Sequence, residues 1–504
     1  MASMLLLLAS ADARAAETCS RPTDAAGYAG YAYGSAPALS FDEPHVRIWY
    51  VLEGRHRVAA SSTRPDGVPD DVAHTAAVTE DALARYAAMG YRAPPTDEDT
   101  ACGSNGGDGR LDVYLVDFTS ADGTAVPERC TKRGDAHRCA SFILAESNFA
   151  GRYPTADEGI RTVLPHEVFH AVQNGYDANM DRFWAEGTAQ WAAETLAPSL
   201  TDLERFLPAF FREPSRALDV PPGSVTGAYL YGSAIWPVYL TQTHGEGIVR
   251  SILEAQGAGG ASALAATDAV LRTTLKSSLA SEYTRFAIWN AATGARAGQA
   301  GYRDAKDYPM VDLTDLPKGG ARGILSGLGA FYYRLKLDSA MHIALDADPA
   351  RVAAAVIPVE GATARIDRTV ALSPGSIPAK VDGESILVVN GTTTSKVDAP
   401  FALTLSAPPP AKEPDPAPPA GATADGGGCS VSGRGEPAAS FSPWAILLAL
   451  ALFSGARSRS SSAHEPSAKS EPRAKAASSP PARIVPVTGP GFMARRIRER
   501  RRLG

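Results

Sequence analysis

The segment His166-Glu-Val-Phe-His170 constrains this chain more than any other. It lies in a helical pattern, and side chains four apart on a helix share a face, so both imidazoles can reach one metal ion while Glu167 sits beside the bound water. The pattern runs from Ile160 to Tyr176, and a second amphipathic pattern runs from Arg182 to Leu196 after the turn-like Asp177-Ala-Asn-Met-Asp181. The second helix carries Phe183-Trp-Ala-Glu-Gly-Thr-Ala189, which puts Glu186 16 positions after His170. A short turn between the helices brings that carboxylate to the imidazoles and makes a His2Glu set with one position open for water. Glu194 is the competing carboxylate; Gly187 favours Glu186, because a side chain there would crowd the other helix. Pro165 is awkward inside a helix: it sits in the first turn or kinks the chain, and a break nearer His170 would weaken the metal reading. Two imidazoles suit hard cations poorly, so Zn2+ is the expected ion.

The remaining sequence predicts an α+β protein. His45 to Leu52 and Leu111 to Asp117 read as strands, Asp70 to Met89 as a helix, and Gly245–Ala255, Ala261–Leu275 and Ser278–Ala292 as further helices. After Gly319-Gly320 the pattern changes to short Val, Ile, Leu and Thr runs, such as Tyr332 to Leu337 and Ser385 to Val389, which predict a small β-sandwich over 325–407. Tyr229 and Tyr231, in Gly227-Ala-Tyr-Leu-Tyr-Gly-Ser233, lie at a suitable chain distance past Glu186 to be candidate donors to an oxyanion. Asn105-Gly-Gly-Asp108 offers oxygen ligands for calcium, but its spacing matches no calcium loop and a plain turn is favoured.

The ends speak for export. The run Met1 to Ala9 followed by Ala13-Arg-Ala15 fits a signal peptide over 1–16. Residues 408–428 form a Pro/Ala linker without core-forming residues. Ala438 to Ala456 is uncharged, has an apolar run from Trp444 to Phe453, and would reach roughly 28 Å as a helix, enough to span hydrocarbon. Arg457 and Arg459 follow it and place that side in the cytoplasm. Residues 460–504 read as a disordered basic tail. From 457 onward there are 12 basic and 3 acidic side chains, leaving 37 basic and 52 acidic in the rest, so the body is acidic and no nucleic-acid partner is expected. In an exported chain the cysteines favour disulfides; with Cys429 set aside, Cys19, Cys102, Cys130 and Cys139 allow three pairings, of which proximity favours Cys130 with Cys139.

Two resemblances add to this reading. Gly426-Gly-Gly-Cys429, a spacer, a short membrane helix and an Arg cluster resemble the MYXO-CTERM sorting signal of myxobacterial surface proteins over roughly 426–459, with the sorting segment itself at 429–459. That resemblance implies processing near Cys429 by a sorting protease of the myxosortase kind. HEVFHAVQ followed by FWAEGTAQW resembles gluzincin-type zinc metallopeptidases, most closely the secreted metalloproteases of myxobacteria, over roughly 41–320. The longer HExxHxxGxxH pattern is not met: Gln173 and Tyr176 stand where it needs Gly and a third His. The gluzincin resemblance implies a zincin-like fold, zinc on His166, His170 and Glu186, and Glu167 as general base. The expectation is an endopeptidase acting on protein or peptide substrates, held at the cell surface or outer membrane by its C-terminal segment, or released from it. The rival reading is a non-catalytic surface adhesin or scaffold on an inactive metallopeptidase fold. Hydrolysis of another bond stays open, and so does the role of Glu17 to about Ser40 as pro-segment or tethered arm.

Overall fold

Alternation along three short strands sets the architecture. In a computed structural model that describes residues 20–98, 108–219, 227–373, 379–394 and 398–407, β1 (Leu39–Asp42) and β2 (Val46–Tyr50) precede α1 (Asp70–Ala88). Then come β3 (Leu111–Val116), β4 (Gly123–Arg133) and β5 (Ala136–Glu146). These five strands form one sheet in the order β1-β2-β3-β5-β4, with β2, β3 and β5 parallel and the two edges antiparallel. Central parallel strands are buried on both faces, which is why β3 reads as an unbroken buried run. Ile48, Val113, Leu115, Ile143 and Ala145 face the helices, whereas Tyr114, Val116, Phe142 and Leu144 face a second core closed by Tyr31, Tyr33 and Phe118.

The N-terminal segment therefore supplies a wall of the fold. Tyr33 donates from its hydroxyl to the Trp49 and Leu115 carbonyls at 2.9 and 3.1 Å, and Tyr28 packs edge-on to Phe142. Arg21 is fully buried, 4.2 Å above the Phe142 ring, and ion-paired to Glu128 of β4 with Asp97 at 3.9 Å. The hairpin of β4 and β5 is stapled by Cys130–Cys139, the pairing that proximity favoured.

Helices α2 (Ala156–Asn174) and α3 (Arg182–Leu196) follow. The Thr155 hydroxyl caps α2 by accepting from the Glu158 N–H at 3.1 Å, with Asp157 and Glu158 in the first turn favoured by the helix dipole. From Val163 to Phe169 every residue of α2 is buried, since it packs between α1, α3 and the sheet. The intervening turn is tied down on both sides. Ala178 N–H donates to the His137 carbonyl at 2.7 Å, and Asp181 accepts from Ala263 N–H at 2.6 Å. The chain continues through α4 (Asp202–Phe211), α5 (Gly227–Gly232), α6 (Ile235–His244), α7 (Gly247–Gly259), α8 (Ala263–Leu275) and α9 (Leu279–Ala291).

Strands β6 (Thr314–Asp315), β7 (Ala321–Ser326), β8 (Ala330–Ala347), β9 (Val352–Glu360), β10 (Thr363–Ala364), β11 (Val370–Leu372), β12 (Ala379–Gly391) and β13 (Asp398–Ser406) complete the described chain. The sequence predicts a separate sandwich over 325–407, but hydrogen bonding joins these strands into one eight-stranded sheet. Nor does the core break at 320–325. Tyr332, Ile386 and Val388 belong to the helical core, Tyr332 donates to the Ala287 carbonyl at 3.0 Å, and Asn390 donates to Thr284 on α9 at 3.0 Å. Alternate residues, Tyr333, Leu335, Leu387 and Val389, face a second apolar cluster with Phe401 and Leu403.

The signal peptide, Cys19, Cys102, Asn105 to Gly107, the linker, Cys429, the membrane segment and the basic tail lie outside the described residues. Among the described residues no helix is long and apolar enough to cross a membrane. Arg21→Met leaves Glu128 charged and buried without its partner, so it lowers unfolding free energy by about 3–5 kcal/mol, measured by denaturant titration.

Candidate metal centre

Helix α2 runs through Pro165 without interruption, from Ala156 to Asn174, so the proline is neither in the first turn nor a break. Its ring removes one intrahelical N–H, and its own carbonyl accepts from the Tyr86 hydroxyl at 2.9 Å. His166 and His170 remain one turn apart, their rings edge to face with centroids 4.7 Å apart.

Three ligand atoms converge. His166 Nε2 lies 3.0 Å from His170 Nε2, and each lies 3.4 Å from Glu186 Oε2. A tetrahedral ion bonded at about 2.0–2.1 Å places its ligands about 3.3–3.4 Å apart, so the trio has the dimensions of three corners of such a site. Among the described residues this is the one group of three side chains that meets metal-binding spacing. Burial opposes charge on His170, but the Glu186 carboxylate outweighs it and pushes the imidazole up to about 9. Burial likewise works against the Glu186 charge, and the two imidazoles overcome it, holding the carboxyl well below its usual range. The donor set thus draws positive charge to the space between these atoms. The His170 and Glu186 side chains keep 17% and 13% exposure, enough for approach from solvent.

Glu167 is buried between α2 and β4, and its Oε2 has no hydrogen-bond partner. Burial pushes its carboxyl up, against the pull of His166 and His170 and the Ala125 N–H. Gly123 makes the approach of β4 feasible: a Cβ there would lie 2.7 Å from Glu167 Cγ and 2.8 Å from Oε1.

The two tyrosines separate. Tyr231 packs 5.4 Å from the His166 ring and 4.9 Å from Phe206, and the Glu186 and Glu167 charges add to the burial that raises its hydroxyl. Tyr229 points away, against Phe210 at 5.3 Å and beneath Arg216. Positions two apart on a helix are about 200° apart around it, so one segment cannot aim both at the metal group. Glu194 is also elsewhere: it accepts from Leu203 N–H at 3.3 Å, and burial pushes it up to about 7. Gly187 does prevent crowding, but against Ser233 after α5 rather than against α2. Asp108 is held by Arg47 and Arg110.

Gln173 is a site residue that sequence reasoning missed. It contacts His170 and α3, and its signal was its place three positions after His170, on the same helical face. No protein-family model matches the chain, and a search of the curated proteins returns no match. The close fit at Gly187 is testable. A Cβ there meets Ser233 Oγ at 2.6 Å, so Gly187→Ala costs about 1–3 kcal/mol in thermal or denaturant unfolding. Ser233→Ala in the same chain recovers part of that loss.

Proposed function

We propose that this chain is an exported zinc-dependent peptidase. The observation that carries the reading is the convergence of His166, His170 and Glu186 at 3.0–3.4 Å beside Glu167, whose Oε2 has no hydrogen-bond partner. Two imidazoles and one carboxylate suit zinc better than magnesium or calcium, and three protein ligands leave a fourth position for water, the pattern of catalytic rather than structural zinc sites. Zinc bound there would lower the pKa of water and polarise a carbonyl.

The chain's own residues provide the rest. Glu167, raised by burial, is suited to take a proton from the attacking water and return it to the leaving amine. Tyr231, near His166, is the candidate donor to the oxyanion, and Tyr229 drops out of that role. Strand β4 is an edge strand that pairs only with β5 among the described residues, and Gly123 and Ala125 bring it against Glu167. An extended peptide added to that edge would pass the metal group, which favours a peptide bond over other substrates. Export and surface retention rest on the signal-like start and the apolar stretch before Arg457.

Zinc content per chain of the purified protein tests the site: near one equivalent is expected, falling sharply in Glu186→Ala. No zinc in the folded parent, even after zinc is supplied, would favour the adhesin or scaffold. Glu167→Gln should keep zinc and lose peptide hydrolysis by about 10²–10⁴-fold. Gly123→Ala, which displaces Glu167, should lower kcat while zinc content stays at the parent level.

A further inference from the structure

Gln173 is 2% exposed, and its amide joins the two helices of the site. Its Oε1 lies 2.7 Å from His170 Nδ1, while its Nε2 donates to the Ala185 carbonyl at 2.9 Å and to Thr188 Oγ1 at 2.6 Å. Thr188 spends its own hydroxyl proton on the Trp184 carbonyl at 2.7 Å, so it has only lone pairs to offer Gln173. Both α3 partners therefore demand the amide nitrogen, and the amide oxygen must face the imidazole. An oxygen acceptor there places the proton on His170 Nδ1 and leaves the lone pair on Nε2. That nitrogen is the one 3.0 Å from His166 Nε2 and 3.4 Å from Glu186 Oε2.

We propose that Gln173 is a positioning residue: one buried amide holds His170 as its Nδ1–H tautomer and couples that choice to Ala185–Thr188, the stretch of α3 that brackets Glu186. This rests on the metal-centre reading and deepens it. Ligands from two different helices are set by a single side chain, so the site is organised before an ion arrives. Outer partners of metal-bound histidines act in this way, and their loss typically costs 10–100-fold in metal affinity.

The test uses Gln173→Met, Gln173→Asn and Gln173→Glu in the whole protein. Three quantities are read: imidazole nitrogen-15 shifts of metal-free protein at about pH 10, above the raised His170 value of about 9 so that the ring is neutral, the zinc dissociation constant by chelator competition, and the melting temperature. Gln173→Met should lose the Nδ1–H pattern at His170 and bind zinc about 10–100-fold more weakly. Gln173→Asn, too short to span both helices, should do the same and carries the comparison should the Met variant fail to fold. Gln173→Glu keeps an oxygen toward Nδ1, so it should retain the pattern and bind zinc more tightly than Gln173→Met. Variants that melt lower yet keep the parent's His170 pattern and zinc affinity would reduce Gln173 to packing and overturn the proposal. Were the parent to bind no zinc, the metal reading would fall, and the nitrogen-15 pattern would still decide for or against Gln173.

Discussion

Helix α2 is buried along most of its middle, where little water reaches its polar side chains, and it carries His166, Glu167, His170 and Gln173 within eight consecutive positions. Each needs a partner from another element, because an unpaired buried polar group costs stability comparable to a lost hydrogen bond or more. Helix α3 answers with a carboxylate, a carbonyl and a hydroxyl, and β4 answers with the Ala125 N–H. The positions of α3 and β4 are consequently dictated by the polar face of α2 as much as by apolar packing. Where both must come close, glycine stands: Gly123 on β4 and Gly187 on α3.

How much of this was legible depends on whether a residue's partner lies on its own element. The His166–His170 pair and the helices that carry the site could be read from spacing, because helical periodicity is local. Strands β2 and β3 were legible for the same reason, as short runs of β-branched and aromatic residues. Strand β4 was not: Gly-Thr-Ala-Val-Pro-Glu-Arg-Cys-Thr-Lys-Arg is an edge strand with a proline and a polar outer half, and its apolar alternation is weak. Tyr229 and Tyr231 show the limit most sharply. Their chain distance from Glu186 is nearly the same, and only the orientation of α5 against α4 decides which one meets the metal group.

How the C-terminal strands pack was hidden for a comparable reason. Alternation told correctly that each strand has two faces, but not that both would be covered. One face takes α9 as its cover while the other closes on its own strands, which makes a single hydrogen-bonded sheet a lid on the helical core as well as a core of its own. Tyr332 and Tyr333, adjacent in β8, accordingly serve different cores.

The buried guanidinium of Arg21 bears on how the chain can be trimmed. Residues 21–33 cover the face of the first sheet opposite α2, so losing them would remove a wall of the second core without uncovering His166, His170 and Glu186. Trimming the chain past Arg21 would leave Glu128 buried without its ion-pair partner, a limit drawn by the folded protein itself.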